Sequence, residues 1–224
     1  MTSRQFYRIS GCGLVVGAVT FVIHVVLRSV ITAGSDPVTF AKEDFRVPIN
    51  ALGVIGAALV LVGLPVMYAW MAGPTGLLGL VGVALIALAW MFFGVFLSLY
   101  SVLVLPWLAD IAPSLVAASA PLPAGFVIGF ISGLVAWFVG TVLLATPFIR
   151  GRVQPRCVGF VLPASALWVV VGNLVIAPSG PATNLAVNLL SNLGPVLLLV
   201  GVGHLGSRTW AEQAPALAEP SINR

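Results

Sequence analysis

The chain has 224 residues, of which only 10 are Lys or Arg and 6 are Asp or Glu. Charged residues make up 7% and hydrophobic residues 60%, where a soluble domain carries about 25% charge. This composition excludes a water-facing surface. It also excludes nucleic-acid binding, because the net charge of +4 comes with no basic run to neutralise a phosphate backbone.

Crossing a bilayer core takes apolar runs of about 20 residues, and six occur. They run from Ile9 to Ile31, Ile49 to Ala72, Gly76 to Leu105, Ala124 to Phe148, Val158 to Ile176 and Asn184 to Gly206. The predicted fold class is all-α: a polytopic membrane bundle of six transmembrane helices over 1–206, with 207–224 a disordered cytoplasmic tail. The third run, about 30 residues and so about 45 Å long, has to tilt. Lys and Arg are retained on the cytoplasmic side during insertion. With the N-terminus inside, Arg4, Arg8, Arg150, Arg152, Arg156, Arg208 and Arg224 lie inside, while Lys42 and Arg46 lie outside. Both termini are therefore expected in the cytoplasm. A cleaved signal peptide fits the first run less well, because the run exceeds a usual h-region and His24 and Arg28 interrupt it late.

Outside, 34–50 reads as a short interfacial helix. Asp36 caps it, Pro37 takes the first position, and Val38, Ala41 and Phe45 share a face from which Lys42 and Arg46 point away. The apolar loop 106–123 carries Trp107 as a headgroup-level anchor. Cys12 and Cys157 open the first and fifth runs at the cytoplasmic side, where thiols stay free. Pro65 and Pro195 sit inside spans and are expected to kink them.

Helices in lipid associate by close approach at small residues. The fourth run repeats Gly125, Gly129 and Gly133 at intervals of four, continued by Ala136 and Gly140; Gly13 and Gly17, and Gly53 and Ala57, repeat the form in the first two. Packing within one bundle is the favoured reading. A homodimer seam through Gly125, Gly129 and Gly133 is the alternative.

Ionisable groups inside a span are the default functional candidates, since they need a partner or water. His24 and Arg28 share a helical face with Thr20, Gly17 and Gly13. Asn184, Asn188 and Ser191 or Asn192 form a second polar stripe in the sixth run, and Asn173 lies in the fifth. Two readings stand side by side. In one, Arg28 snorkels to the interface and the amides are inter-helical glue. In the other, Thr20, His24, Arg28, Asn173, Asn188 and Asn192 line an outward-facing polar cavity, with an outer acid such as Asp36, Glu43 or Asp110 near Arg28. Such a site suits a phosphate or carboxylate.

Depth excludes several enzymes. His24 and His204 stand about 20 Å apart along the bundle, too far for one haem iron. Phe130-Ile131-Ser132-Gly133 and Gly203-His204-Leu205-Gly206 superficially resemble rhomboid-protease segments. There too the serine and histidine are about 20 Å apart. No HExxH, phosphate-binding glycine loop, intramembrane carboxylate pair or Cys/His metal cluster occurs. No enzyme, cofactor or metal is expected.

Arg8-Ile9-Ser10-Gly11 opening the first span, the acidic outer loop after it and Arg156-Cys157-Val158-Gly159 opening the fifth resemble a broad group of uncharacterised six-span bacterial membrane proteins. The resemblance implies a multi-pass bacterial plasma-membrane protein and no established activity. The favoured function is binding or moving a lipid or small polar solute. The alternative is a structural or accessory subunit packing a partner through its glycine faces. Membrane lipids are the expected partners.

Overall fold

A computed structural model describes residues 3–33, 35–117, 123–153, 155–172 and 185–211. Helices and the short turns that join them make up all of these, with no strand among them. The elements are α1 (Ser3–Thr32), α2 (Pro37–Lys42), α3 (Arg46–Trp90), α4 (Leu97–Leu99), α5 (Leu105–Ile111), α6 (Ala124–Ile149), α7 (Arg156–Val171), α8 (Leu185–Ser191) and α9 (Leu193–Ala211). Two π-helical segments, Met91–Phe96 and Tyr100–Val104, flank α4.

Three helical stretches are long and apolar enough to cross a membrane: Tyr7–Thr32, Arg46–Ile111 and Ala124–Ile149. The pair α8 and α9, bent by 44°, makes a fourth if it is one span, and α7 is a shorter apolar helix. The expectation of an all-α membrane bundle is met to that extent, with three to four membrane-length helices where six runs were predicted.

The 66-residue stretch Arg46–Ile111 holds the second and third predicted runs. Straight, it would be about 100 Å long. It is interrupted at Gly76, whose φ of 55° and ψ of −148° belong to a region essentially restricted to glycine. Beyond it the chain doubles back. A Cβ on Gly53 would meet Ser98 Oγ at 2.6 Å, and one on Gly94 would meet the Ala57 Cβ at 2.8 Å. Both pairs are symmetric about the bond between residues 75 and 76. The two halves of α3, with the helical segments after it, therefore form an antiparallel hairpin.

Small residues set the other contacts. Gly17 of α1 meets Gly56 of α3, Gly82 beyond the reversal meets Gly140 of α6, Gly159 of α7 meets Phe148, and Gly206 of α9 meets Leu14 and Gly11 of α1. The helices close into a ring around one core that includes Leu14, Leu64, Met67, Leu144, Leu162 and Leu205, each at most 1% exposed. From Gly129 onward the glycine stripe of α6 is occupied from within this chain. Gly129 packs on Phe92 and Gly133 on Phe93, while Gly125 has no heavy atom within 4 Å of its would-be Cβ. The intra-bundle reading accounts for two of the three glycines assigned to a dimer seam.

Several local expectations change. The outer helix is only Pro37–Lys42; the Asp36 carboxylate accepts from the Val38 and Thr39 N–H groups, and the helix ends at the extended Glu43. Phe45, expected to share the face of Val38 and Ala41, lies beyond the helix and is exposed; Ala41 is buried, together with Phe40. Arg46, expected in the water-facing loop, begins α3 and is 6% exposed, with Nε and Nη1 unpaired. Pro65 produces no non-helical residue. The bend beside Pro195 falls at Asn192, because proline cannot donate to the carbonyl four residues earlier and its ring collides with it. Cys12 and Cys157 are free and exposed. Residues 212–224, most of the expected tail, lie outside the described residues, and α9 continues beyond Gly206 to Ala211.

Candidate ligand-binding cavity

α1 brings its polar stripe to the interior. His24 is 2% exposed, and its Nδ1 lies 2.7 Å from the Ile49 carbonyl oxygen. A carbonyl only accepts, so Nδ1 carries the proton. Nε2 faces Gly53 at the hairpin's inner surface, where glycine lets the imidazole and the Ser98 hydroxyl approach the backbone. His24 is thus pinned between two helices.

One turn further along α1, Arg28 lines a cavity of about 340 Å³, at the small end of the roughly 300–1,000 Å³ range for ligand sites. Its polar wall comes from two sides: His24, Arg28, Ser29 and Thr32 of α1, and Asn188, Ser191 and Asn192 at the α8–α9 break. The rest is aromatic and aliphatic, including Phe21, Trp90, Phe93, Phe130 and Trp137. Trp90 and Trp137 meet edge to face, with centroids 5.8 Å apart, and Phe21 stands 4.7 Å from Trp90.

Among the described residues the Arg28 guanidinium has no hydrogen bond and no ion pair. None of the expected acids Asp36, Glu43 and Asp110 lines the cavity or pairs with Arg28. Asp110 pairs with Lys42 at 3.1 Å, and Asp36 caps α2.

The two asparagines do bond across helices, to hydroxyls absent from the sequence-derived site. Asn192 Nδ2 donates to Ser29 Oγ at 3.3 Å and to the Asn188 carbonyl at 2.8 Å. Asn188 Nδ2 donates to Thr32 Oγ1 at 3.4 Å, and that hydroxyl donates to the Arg28 carbonyl. The break between α8 and α9 thereby becomes hydrogen-bonded, as irregular backbone at membrane depth requires. The Trp168 indole, donating to the Leu190 carbonyl at 2.7 Å, holds it from α7.

Of the predicted site, His24, Arg28, Asn188 and Asn192 are brought together. Thr20 is half-buried and is not part of the lining, because the cavity stops at Phe21. Asn173 lies outside the described residues. Ser132 and His204 are both exposed and neither lines the cavity. Among the described residues no group of three His, Cys, Asp or Glu side chains is placed to hold a metal ion. Sequence reasoning missed Ser29, Thr32 and the aromatic wall. Ser29 and Thr32 were within reach, since both follow Arg28 and face α8–α9 at helical spacing. The tryptophans carry no such signal in a chain with six.

No family model, curated protein or solved structure matches the chain. The class is therefore read from the fold and site: an all-helical chain of membrane-length apolar helices around a half-polar cavity.

Proposed function

We propose that the chain is a six-crossing protein of a bacterial plasma membrane, with both termini cytoplasmic, whose outward-facing cavity binds a lipid or small polar solute. In this reading the reversal at Gly76 makes two crossings of the longest helical stretch, and the shorter apolar helix α7 and the bent α8–α9 pair make the last two. With the basic residues sided as above, the polar end of the cavity belongs to the outer leaflet. The observation that carries the binding reading is Arg28: a guanidinium at the wall of a cavity with no acid beside it. A ligand group that accepts hydrogen bonds would offset its desolvation.

Native mass spectrometry of the purified protein tests this. An adduct present on the wild type and lost from Arg28→Ala is the expected result; identical spectra would sink the reading. The structural-subunit alternative draws on the Asn192–Ser29 bond, which is inter-helical glue of the ordinary kind, and it is the reading that identical spectra would favour.

A further inference from the structure

The cavity is polar at one end only. On α1, Phe21 lies seven residues, or about 10 Å, to the inner side of Arg28, with Thr32 a turn farther out. On α6, which runs the opposite way, Trp137 lies the same seven residues to the inner side of Phe130. Trp90 likewise lies seven residues inside Leu97 on the outward-running limb of the hairpin. Phe21, Trp90 and Trp137 thus form an aromatic floor, and Arg28, Ser29, Thr32, Asn188 and Asn192 form the outer rim. Below the floor the core is closed by Leu14, Leu64 and Met67, none of them exposed.

Among the described residues the rim carries one fixed cation and no carboxylate. His24 already spends its Nδ1–H on the Ile49 carbonyl. A zwitterionic group would bring a second cation beside Arg28 with no acid to receive it, and a cationic group would meet like charge. A single phosphate or carboxylate meets neither penalty and fits a guanidinium fork. The volume of about 340 Å³ corresponds to a molecule at or below drug size.

We infer that the cavity takes a small amphiphile with one anionic group, its apolar body on the Phe21–Trp90–Trp137 floor and its anion at Arg28. This inference rests on the cavity-binding reading above and adds ligand class and orientation to it.

A bromine at the tail of such a molecule would sit against Trp137 and Trp90 and quench them. The full chain in micelles is titrated with ω-bromooctanoate and, in parallel, with ω-bromooctanol, and tryptophan fluorescence is followed. The expected result is saturable quenching by the carboxylate, reduced in Trp137→Phe and in Trp90→Phe and largely abolished when both are replaced. The alcohol should need about tenfold more for the same effect, as should the carboxylate with Arg28→Gln, and Arg28→Lys should recover part of that loss. Size-exclusion profiles identify variants that fold. Equal saturable quenching by acid and alcohol, still dependent on Trp137, would overturn the anion assignment and leave cavity binding standing. Quenching that survives replacement of both tryptophans, or no saturable component from either compound, would overturn the cavity reading itself.

Discussion

Gly53 stands against His24 so closely that a Cβ on the glycine would lie 2.9 Å from the imidazole Nε2. The other ring nitrogen is tied to the Ile49 carbonyl, so the ring cannot rotate away without losing a buried hydrogen bond. Gly53→Ala is therefore expected to destabilise the bundle by about 1–3 kcal/mol, the usual cost of overpacking. Part of that should return when Ser98, the second neighbour, is shortened in Gly53→Ala with Ser98→Ala. Thermal unfolding in detergent, followed by size exclusion, reads both; an unchanged midpoint in Gly53→Ala would refute the close contact.

The hairpin depends on Gly76. Its backbone angles cost a residue with a side chain about 1–3 kcal/mol, so Gly76→Ala should lower the unfolding midpoint. Gly73→Ala is the control. That glycine has no atom within 4 Å of a would-be Cβ, and alanine favours a helix over glycine by up to about 1 kcal/mol. If both variants behave alike, the chain does not reverse at Gly76.

Asn192 and Ser29 join the α8–α9 break to α1. A double-mutant cycle of Asn192→Ala and Ser29→Ala should show a coupling of about 0.6 kcal/mol, the average for such bonds in membrane proteins. Zero coupling in an unfolding assay would mean that the bond contributes nothing to stability.

Outside the bundle, Lys42 and Asp110 pair at 3.1 Å with both side chains more than half exposed, whereas Ala41 and Ala109 beside them are fully buried. Lys42→Ala should change stability by less than about 1 kcal/mol. Ala41→Leu, which adds volume to a closed contact, should cost about 1–3 kcal/mol. The reverse order would mean that charge, not packing, holds α2 to α5.

The proposed six crossings with cytoplasmic termini would put Ser114 outside and Arg152 inside; both are exposed. In a background carrying Cys12→Ala and Cys157→Ala, Ser114→Cys should react with an impermeant maleimide in intact cells. Arg152→Cys should react only after permeabilisation. Labelling of Arg152→Cys in intact cells would overturn the proposed orientation.

The membrane class and the helical architecture are legible in the sequence because both are local or additive properties. Apolar run length, the scarcity of charge and the sidedness of arginine need no knowledge of which helix touches which. The same holds for Arg28. A cation within an apolar run stands out by itself, and helical spacing places it on one face with His24.

What the tertiary structure decided is everything that depends on two distant segments meeting. Arg46 reads as a water-facing loop residue until α3 begins at it and buries it. Thr20 continues the His24–Arg28 stripe by spacing alone, yet Phe21 ends the cavity above it. Trp90 and Trp137, 47 positions apart in the sequence, become one floor because Gly82 and Gly140 let their helices approach. Helical periodicity states which residues share a face; close contact between backbones, set here by glycine, determines what each face meets.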